Sequence, residues 1–234
     1  MNASHLSVRT GLAAVLVAAA VAVSQGPAFS QGAKKEPAPP AGAQGVMTNA
    51  TAKVDGFRSA RFGMSEAEVK NAVATDFKIK GDGVREQPNA GERTKALLVK
   101  VPDLLPGGGT AEVSYIFGYH TKKLIQVSVS VSWSKATDEK MTPEQLFSNS
   151  SVLRAHFMSE GFKPESIASN MPIGGGLLIF RGSDAKDHTA MLILQGTFTQ
   201  GENNQRILTP ASLLLFYVED AKAPDVYRLP PGSF

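Results

Sequence analysis

Residues 57–77 read FRSARFGMSEAEVKNAVATDF, and this stretch predicts the first helix of the chain. Ser65 has the N-cap position, where its hydroxyl accepts from a backbone N–H, and Glu68 has the spacing of a capping box. Val69 and Val73 recur at helical spacing, which indicates one apolar face. The stretch therefore predicts a capped amphipathic helix that packs on other elements.

A second helix start of the same design lies at residues 141–157, which read MTPEQLFSNSSVLRAHF. Thr142 has the N-cap position, Pro143 is tolerated at the first helical position, and Gln145 completes a second capping box. Strand-like segments follow each start. The sequence therefore predicts an α+β fold of two tandem helix-plus-antiparallel-sheet units in a two-layer arrangement.

The strand patterns set the boundaries of these units. Residues 124–133, LIQVSVSVSW, alternate strictly between apolar and polar side chains, which predicts an antiparallel strand with one buried and one solvated face. We place the first unit at residues 51–140 and the second at residues 141–220. The proline-rich residues 221–234 predict an irregular C-terminal tail.

The N-terminal residues 1–30 have the layout of a secretory signal peptide. Arg9 precedes an apolar run at residues 11–23, and a small-x-small pattern predicts cleavage after Ser30. The run is shorter than the ~20 residues of a bilayer span, but retention as an N-terminal anchor stays open. Residues 31–50 predict a flexible spacer. We expect a periplasmic or secreted protein without a stable membrane span after cleavage.

Composition excludes several classes of protein. The chain of 234 residues has no cysteine, which rules out disulfides, thiolate metal sites, cysteine nucleophiles and lipid attachment at a cysteine. The formal net charge is only +3, and the basic residues do not form a stripe, so nucleic-acid binding is not expected.

No catalytic constellation is visible in the sequence. There is no nucleophile elbow and no phosphate-binding loop, and His120, His156 and His188 do not have the spacing of a zinc motif. Asp184, Asp187 and His188 could contact a hard cation, but the segment lacks the dense oxygen ligands of a calcium loop. We therefore predict no catalytic, cofactor-binding or metal-binding residues.

One row of side chains is chemically unusual. Gln126, Ser128, Ser130 and Ser132 form the polar side of the alternating strand, and we predict that they bind a partner. Small hydroxyl side chains let another backbone approach closely. They also lose little conformational entropy when they become ordered. The alternative is an ordinary solvated sheet face.

Residues 61–69, RFGMSEAEV, resemble the opening motif of the SmpA/OmlA (BamE-like) envelope proteins. Gly63, Met64, Ser65 and Val69 carry the match, which implies a capped helix followed by an antiparallel sheet. The chain departs from that family because it has no lipid-attachment cysteine and has a second helix start. The tandem layout is also similar to the β-lactamase inhibitor protein fold, in which a sheet face binds a partner enzyme.

The sequence favours an exported, non-enzymatic binding protein of the bacterial cell envelope that recognises an envelope or periplasmic protein through an exposed sheet face. Two alternatives stay open. One is a hydrolase or small-ligand carrier with a site between the two units, which a pocket lined by His156 or His188 and acidic groups would favour. The other is an envelope structural protein held by its spacer. Arg58 and Arg61 are either exposed anchors or solubilising charges.

Overall fold

The computed structural model of the protein describes residues 50–105, 107–132, 141–201, 205–230 and 232–233. The predicted signal peptide, residues 1–30, and the predicted spacer up to residue 49 lie outside the described residues, so both stay predictions.

The described residues form ten strands and two helices. The strands are β1 (Gly56–Phe57), β2 (Ala60–Arg61), β3 (Val84–Asn89), β4 (Thr94–Val101), β5 (Ala111–Phe117), β6 (Leu124–Ser132), β7 (Met171–Ile173), β8 (Gly176–Ser183), β9 (Thr189–Gln200) and β10 (Arg206–Val218). The helices are α1 (Glu66–Phe77) and α2 (Pro143–Ser159).

Both predicted capping boxes are present. The Ser65 hydroxyl accepts from the backbone N–H of Glu68, and the Glu68 carboxylate accepts from the Ser65 N–H at 2.7 Å. Thr142 and Gln145 make the same reciprocal pair at the start of α2, where the Thr142 N–H lies 2.9 Å from the Gln145 side-chain oxygen. Both helices therefore begin where local sequence chemistry places their caps.

Eight of the strands form a single antiparallel sheet in the order β3-β4-β5-β6-β10-β9-β8-β7. The middle of the sheet is the pairing of β6 with β10, which runs in register from Ser132 opposite Ser212 to Gln126 opposite Val218. This seam joins the four strands that follow α1 to the four strands that follow α2.

The prediction of two helix-plus-antiparallel-sheet units is therefore wrong. The fold is mostly β, with one eight-stranded sheet, a two-stranded sheet of β1 and β2, and two α-helices in the described part of the chain. Two separate sheets would leave β6 and β10 as edges with unpaired backbone groups, and the seam satisfies those groups. The almost continuously apolar β10 residues 213–218 suit this interior position, because both of their faces are packed.

Both helices lie on one side of the sheet, which we call the covered face. Val69 and Val73 of α1 and Leu146 and Phe157 of α2 belong to the same buried cluster as the side chains of the central strands. The Phe157 ring stacks on Phe180 of β8 with 5.3 Å between ring centroids. The main hydrophobic core therefore lies between the sheet and the helix layer.

The alternation predicted for β6 breaks at its start. Ile116 pairs with Gln126 and Phe117 pairs with Leu124, so Ile125 is an extra residue in a β-bulge. A bulge interrupts the two-residue period, and Ile125 consequently packs beside Ile116 on the side of the sheet that carries neither helix. We call this side the open face.

A C-terminal segment without regular secondary structure, residues 219–227, crosses one end of the open face. Ala221 packs on the apolar cluster of β8, β9 and β10, and Val226 packs on the cluster of β4, β5 and β6. Arg93 then lies over the Tyr227 ring, with its guanidinium carbon 3.7 Å from the ring centroid. We call residues 219–227 the strap.

Asp225 anchors the strap to the turn between β5 and β6. Its carboxylate accepts from the backbone N–H groups of His120 and Thr121, both at 2.9 Å, and from the Thr121 hydroxyl at 2.7 Å. Burial opposes the charged form, but these hydrogen bonds outweigh it and hold the pKa of Asp225 well below its usual range. The charged carboxylate therefore stabilises the attachment of the strap to this turn.

The first prediction concerns the cap of α1. Ser65→Ala removes the hydroxyl that accepts from the Glu68 N–H, and we expect it to lower the free energy of unfolding by about 1 kcal/mol. Urea denaturation measures the change. Ser151→Ala, at an exposed position inside α2, is the control and should leave stability unchanged or slightly higher. Equal losses in the two variants would contradict the capping role.

The second prediction concerns pH. Because the pKa of Asp225 is lowered on folding, its contribution is complete above the ordinary carboxyl pKa and is lost as the pH falls toward the folded value. The stability difference between wild type and Asp225→Asn should be full at about pH 6 and should shrink below about pH 4. Thermal unfolding across this range measures it, with the exposed Asp82→Asn as control. A difference that does not change with pH would show that the charge of Asp225 is unimportant.

Candidate functional site

A groove of about 980 Å³ lies on the open face beside the strap, and we call it the open-face groove. Its walls are residues 163–168, the turn between β8 and β9, and the strap. Its floor is formed by Gln126, Ser183, Thr189 and Val218 from four adjacent strands of the sheet. The volume is in the range of about 300–1,000 Å³ that is typical of small-molecule sites.

Three of the four floor residues of the groove are polar, although the neighbouring parts of the open face are apolar. The hydroxyls of Ser183 and Thr189 lie 3.0 Å apart and are buried, so they satisfy each other. Gln126 is only 2% exposed, and its side-chain Nε2 has no hydrogen-bond partner. A buried amide without a partner costs about 1–3 kcal/mol. The Gln126 amide is therefore a hydrogen-bond donor at the groove floor whose burial lowers the free energy of unfolding.

The rim of the groove carries charges of both signs. The Lys163 ammonium lies 2.7 Å from Asp187, and this hydrogen bond raises the pKa of Lys163 and lowers the pKa of Asp187. Arg181 and Glu219 also line the groove, and neither has an ion-pair partner among the described residues. Burial raises the pKa of Glu219. A cation and a carboxylate are thus available to a ligand on the two sides of the groove.

Asp184, at the β8–β9 turn, is 2% exposed and holds the start of the described chain against the sheet. Its carboxylate accepts from the backbone N–H groups of Val54 at 2.9 Å, Lys186 at 2.8 Å and His188 at 3.0 Å. The Nδ1 of His188 lies 2.8 Å from the Val54 carbonyl, which only accepts, so this nitrogen donates. Asp184 and His188 therefore connect two distant segments of the chain.

These contacts also bear on metal binding. The sequence analysis considered Asp184, Asp187 and His188 as cation ligands and predicted no metal site, and in the structure the Asp187 carboxylate instead lies 2.7 Å from the Lys163 ammonium. Asp55 comes close instead, and its oxygen, one from Asp184 and a His188 nitrogen all lie within 4.8 Å of one another. A cation there would have to compete with three N–H donors for the Asp184 carboxylate. We assign this cluster a structural role.

The hydroxyls of the groove also have structural partners. The Ser166 hydroxyl donates to the Lys163 carbonyl and accepts from the Ser183 N–H, both at 2.7 Å. Within the described residues, none of the groove hydroxyls is hydrogen-bonded to a histidine. A base-activated nucleophile requires such a pair. The groove hydroxyls that the structure describes are therefore held by backbone groups and by each other.

The predicted partner-binding row lies on the open face. Gln126 is buried at the groove floor, whereas Ser128 and Ser130 are half-buried above it, where Ser128 lies opposite Phe216 of β10. Ser132 ends β6, and its side chain lies outside the described residues. The expectation that the whole row is solvated is wrong at Gln126, because the strap runs past it.

Sequence reasoning missed two side chains of the groove. Arg181 lies near the end of β8 and Glu219 directly follows β10, and neither belongs to a motif. Only the order and register of the central strands bring them to the same groove as Gln126, with Arg181 on β8 separated from β6 by two strands. The sole local signal for either groove residue was a charged side chain at a strand end. Such side chains are common on protein surfaces, so this signal does not identify a binding site.

Comparison of the chain with protein-family models, curated proteins and solved structures found no match. The resemblance of residues 61–69 to the BamE-like proteins, and of the layout to the β-lactamase inhibitor protein fold, therefore stays a prediction. No helix in the described part of the chain is both long and apolar enough to cross a bilayer.

The third prediction tests the structural role of Asp184. Asp184→Ala leaves three backbone N–H groups without their acceptor, so we expect a loss of about 3 kcal/mol or more in the free energy of unfolding. Asp187→Ala, three residues later and exposed, should cost at most about 1 kcal/mol. Chemical denaturation with and without a chelator measures both. A wild-type stability that falls with the chelator would favour a bound metal instead.

Proposed function

We propose that this protein is an exported, non-enzymatic binding protein of the bacterial cell envelope that holds a polypeptide segment of a partner protein in its open-face groove. The observation that carries the proposal is the buried, unpartnered amide of Gln126 at the groove floor. A change of rotamer lets this amide donate a hydrogen bond to a carbonyl of the ligand. That hydrogen bond offsets the free-energy cost of burying the amide without a partner.

The chemistry of the groove suits a polypeptide. Every residue of a polypeptide backbone offers a carbonyl acceptor, and all but proline offer an N–H donor. The groove offers the Gln126 amide and the Arg181 guanidinium as donors and the Glu219 carboxylate as an acceptor. A simple anion would meet the acidic side chains of the rim, so a ligand with groups of both kinds fits better.

The open face extends the groove into a wider surface. Ser128 and Ser130 continue from Gln126 along β6, and their small side chains leave room for a second backbone. Export to the envelope is supported by the signal-like residues 1–30. The partner is therefore expected among envelope or periplasmic proteins.

The fourth prediction separates a binding role from a structural role of Gln126. Gln126→Leu replaces an unpartnered buried amide with an apolar group of similar size, so we expect the free energy of unfolding to rise by about 1–3 kcal/mol. Gln87→Leu is the matched control on the open face outside the groove and should stay within about 0.5 kcal/mol. A destabilised Gln126→Leu would show that the amide has a structural partner.

Capture of the partner completes this test. A photo-crosslinking amino acid at Lys222, on the groove rim, should give an adduct of one defined mass in envelope extract, and the adduct should disappear in the Gln126→Leu background. The same probe at Ser151, on the outer surface of α2, is the control and should give none. Identical adducts from both positions, or adducts that persist in Gln126→Leu, would contradict the groove as the binding site.

One observation favours a second candidate, a hydrolase or small-ligand carrier. His188 lines the groove together with acidic groups, and its Nδ1–H is fixed by the Val54 carbonyl, which leaves Nε2 as the acceptor that a general base needs. Turnover of p-nitrophenyl esters that is lost in His188→Gln would replace the binding proposal with a hydrolase. The binding proposal expects no turnover above the buffer rate in either protein.

A further inference from the structure

Within the ranges that the structure describes, the width of the sheet leaves part of the covered face without a helix above it. Eight strands at a spacing of about 4.8 Å span about 34 Å, whereas two helices of about 10 Å each cover about 20 Å. The helix α2 packs on β8, β9 and β10 at one side. A recess of about 180 Å³ remains beside it, above the seam of β6 and β10, and we call it the central recess.

The walls of the central recess are mainly apolar. They include Phe57, Leu105, Val131, Leu153, Leu215 and Tyr217, which come from five different elements or loops. Burial raises the pKa of Tyr217 to about 12, so its hydroxyl stays neutral. An apolar cavity of about 150 Å³ in a protein interior is large enough to bind benzene. The recess therefore has room for one aromatic ring or a short acyl chain.

A cation lies at the edge of this recess. Arg58, in the turn between β1 and β2, is exposed, and its guanidinium lies 5.1 Å from the centroid of the Phe77 ring. No carboxylate among the described residues forms an ion pair with it. Asp76 is engaged by the N–H and the hydroxyl of Ser59, at 3.0 and 2.7 Å. His156 also lines the recess, with Glu160 3.5 Å away.

We propose that the central recess binds small carboxylates, with the apolar body of the ligand between α2 and the seam and its carboxylate paired with Arg58. An unpaired guanidinium beside an apolar recess matches a ligand with one anionic end, because guanidinium binds carboxylate through paired N–H donors. This site is separate from the open-face groove, since the two lie on opposite faces of the sheet.

The fifth prediction uses benzoate and its neutral analogue benzyl alcohol as probes, titrated into the full chain and followed by chemical shifts in NMR spectra. Wild type should bind both, with benzoate tighter. Arg58→Gln should weaken benzoate about five- to tenfold and leave benzyl alcohol unchanged. Wild type that binds neither probe at millimolar concentration, or Arg58→Gln that weakens both equally, would overturn the proposal.

A cavity-filling variant tests the location. Leu153→Phe adds atoms to the wall of the recess and should abolish binding of both probes while the melting temperature stays near that of wild type. Val152→Phe, the adjacent residue on the exposed side of α2, is the matched control and should bind both probes as wild type does. If Leu153→Phe melts early, Val131→Phe replaces it at the opposite wall. Unchanged binding in a folded filled variant would place the probes elsewhere and refute the site.

Discussion

The pairing of β6 with β10 is the interaction on which the rest of the structure depends. It converts the strands that follow α1 and those that follow α2 into one eight-stranded sheet and removes the two edges that separate sheets would expose. It also places β10 where both of its faces are packed. Leu215 contributes to the core under the helices, and Phe216 contributes to the apolar cluster on the open face. An interior strand with so few polar side chains needs this double coverage.

Both candidate sites are consequences of the width of that sheet. The two helices of the described residues do not cover eight strands, so the central recess remains above the seam, and the strap crosses one end of the open face. Each site presents one polar group that the described residues leave available to a ligand. At the open-face groove it is the buried Nε2 of Gln126, which has no hydrogen-bond partner, and at the central recess it is the guanidinium of Arg58, which lies over the Phe77 ring.

The sequence predicted the local features of this fold and not the long-range ones. Each capping box, at Ser65 and at Thr142, depends on two residues three positions apart in the chain, so both boxes could be predicted from the sequence. The strand that pairs with β6 could not be predicted in this way. A two-residue period shows which side chains share a face of a strand, but it does not show which strand lies next to it. The bulge at Ile125 reversed one side chain that strict alternation assigned to the core. The sequence singled out Gln126, which the structure buries at the groove floor, but Arg181 reaches the same groove only through the register of distant strands.

The most direct test of the single sheet is hydrogen–deuterium exchange of the backbone amides. If β6 and β10 form its centre, their amides should exchange slowest in the chain and should do so together, because they open only on global unfolding. Amides of the outer strands β3 and β7 should exchange faster. Exchange of β6 and β10 that is faster than that of β4 and β8 would contradict the account, because it would show two sheets that open independently along the seam.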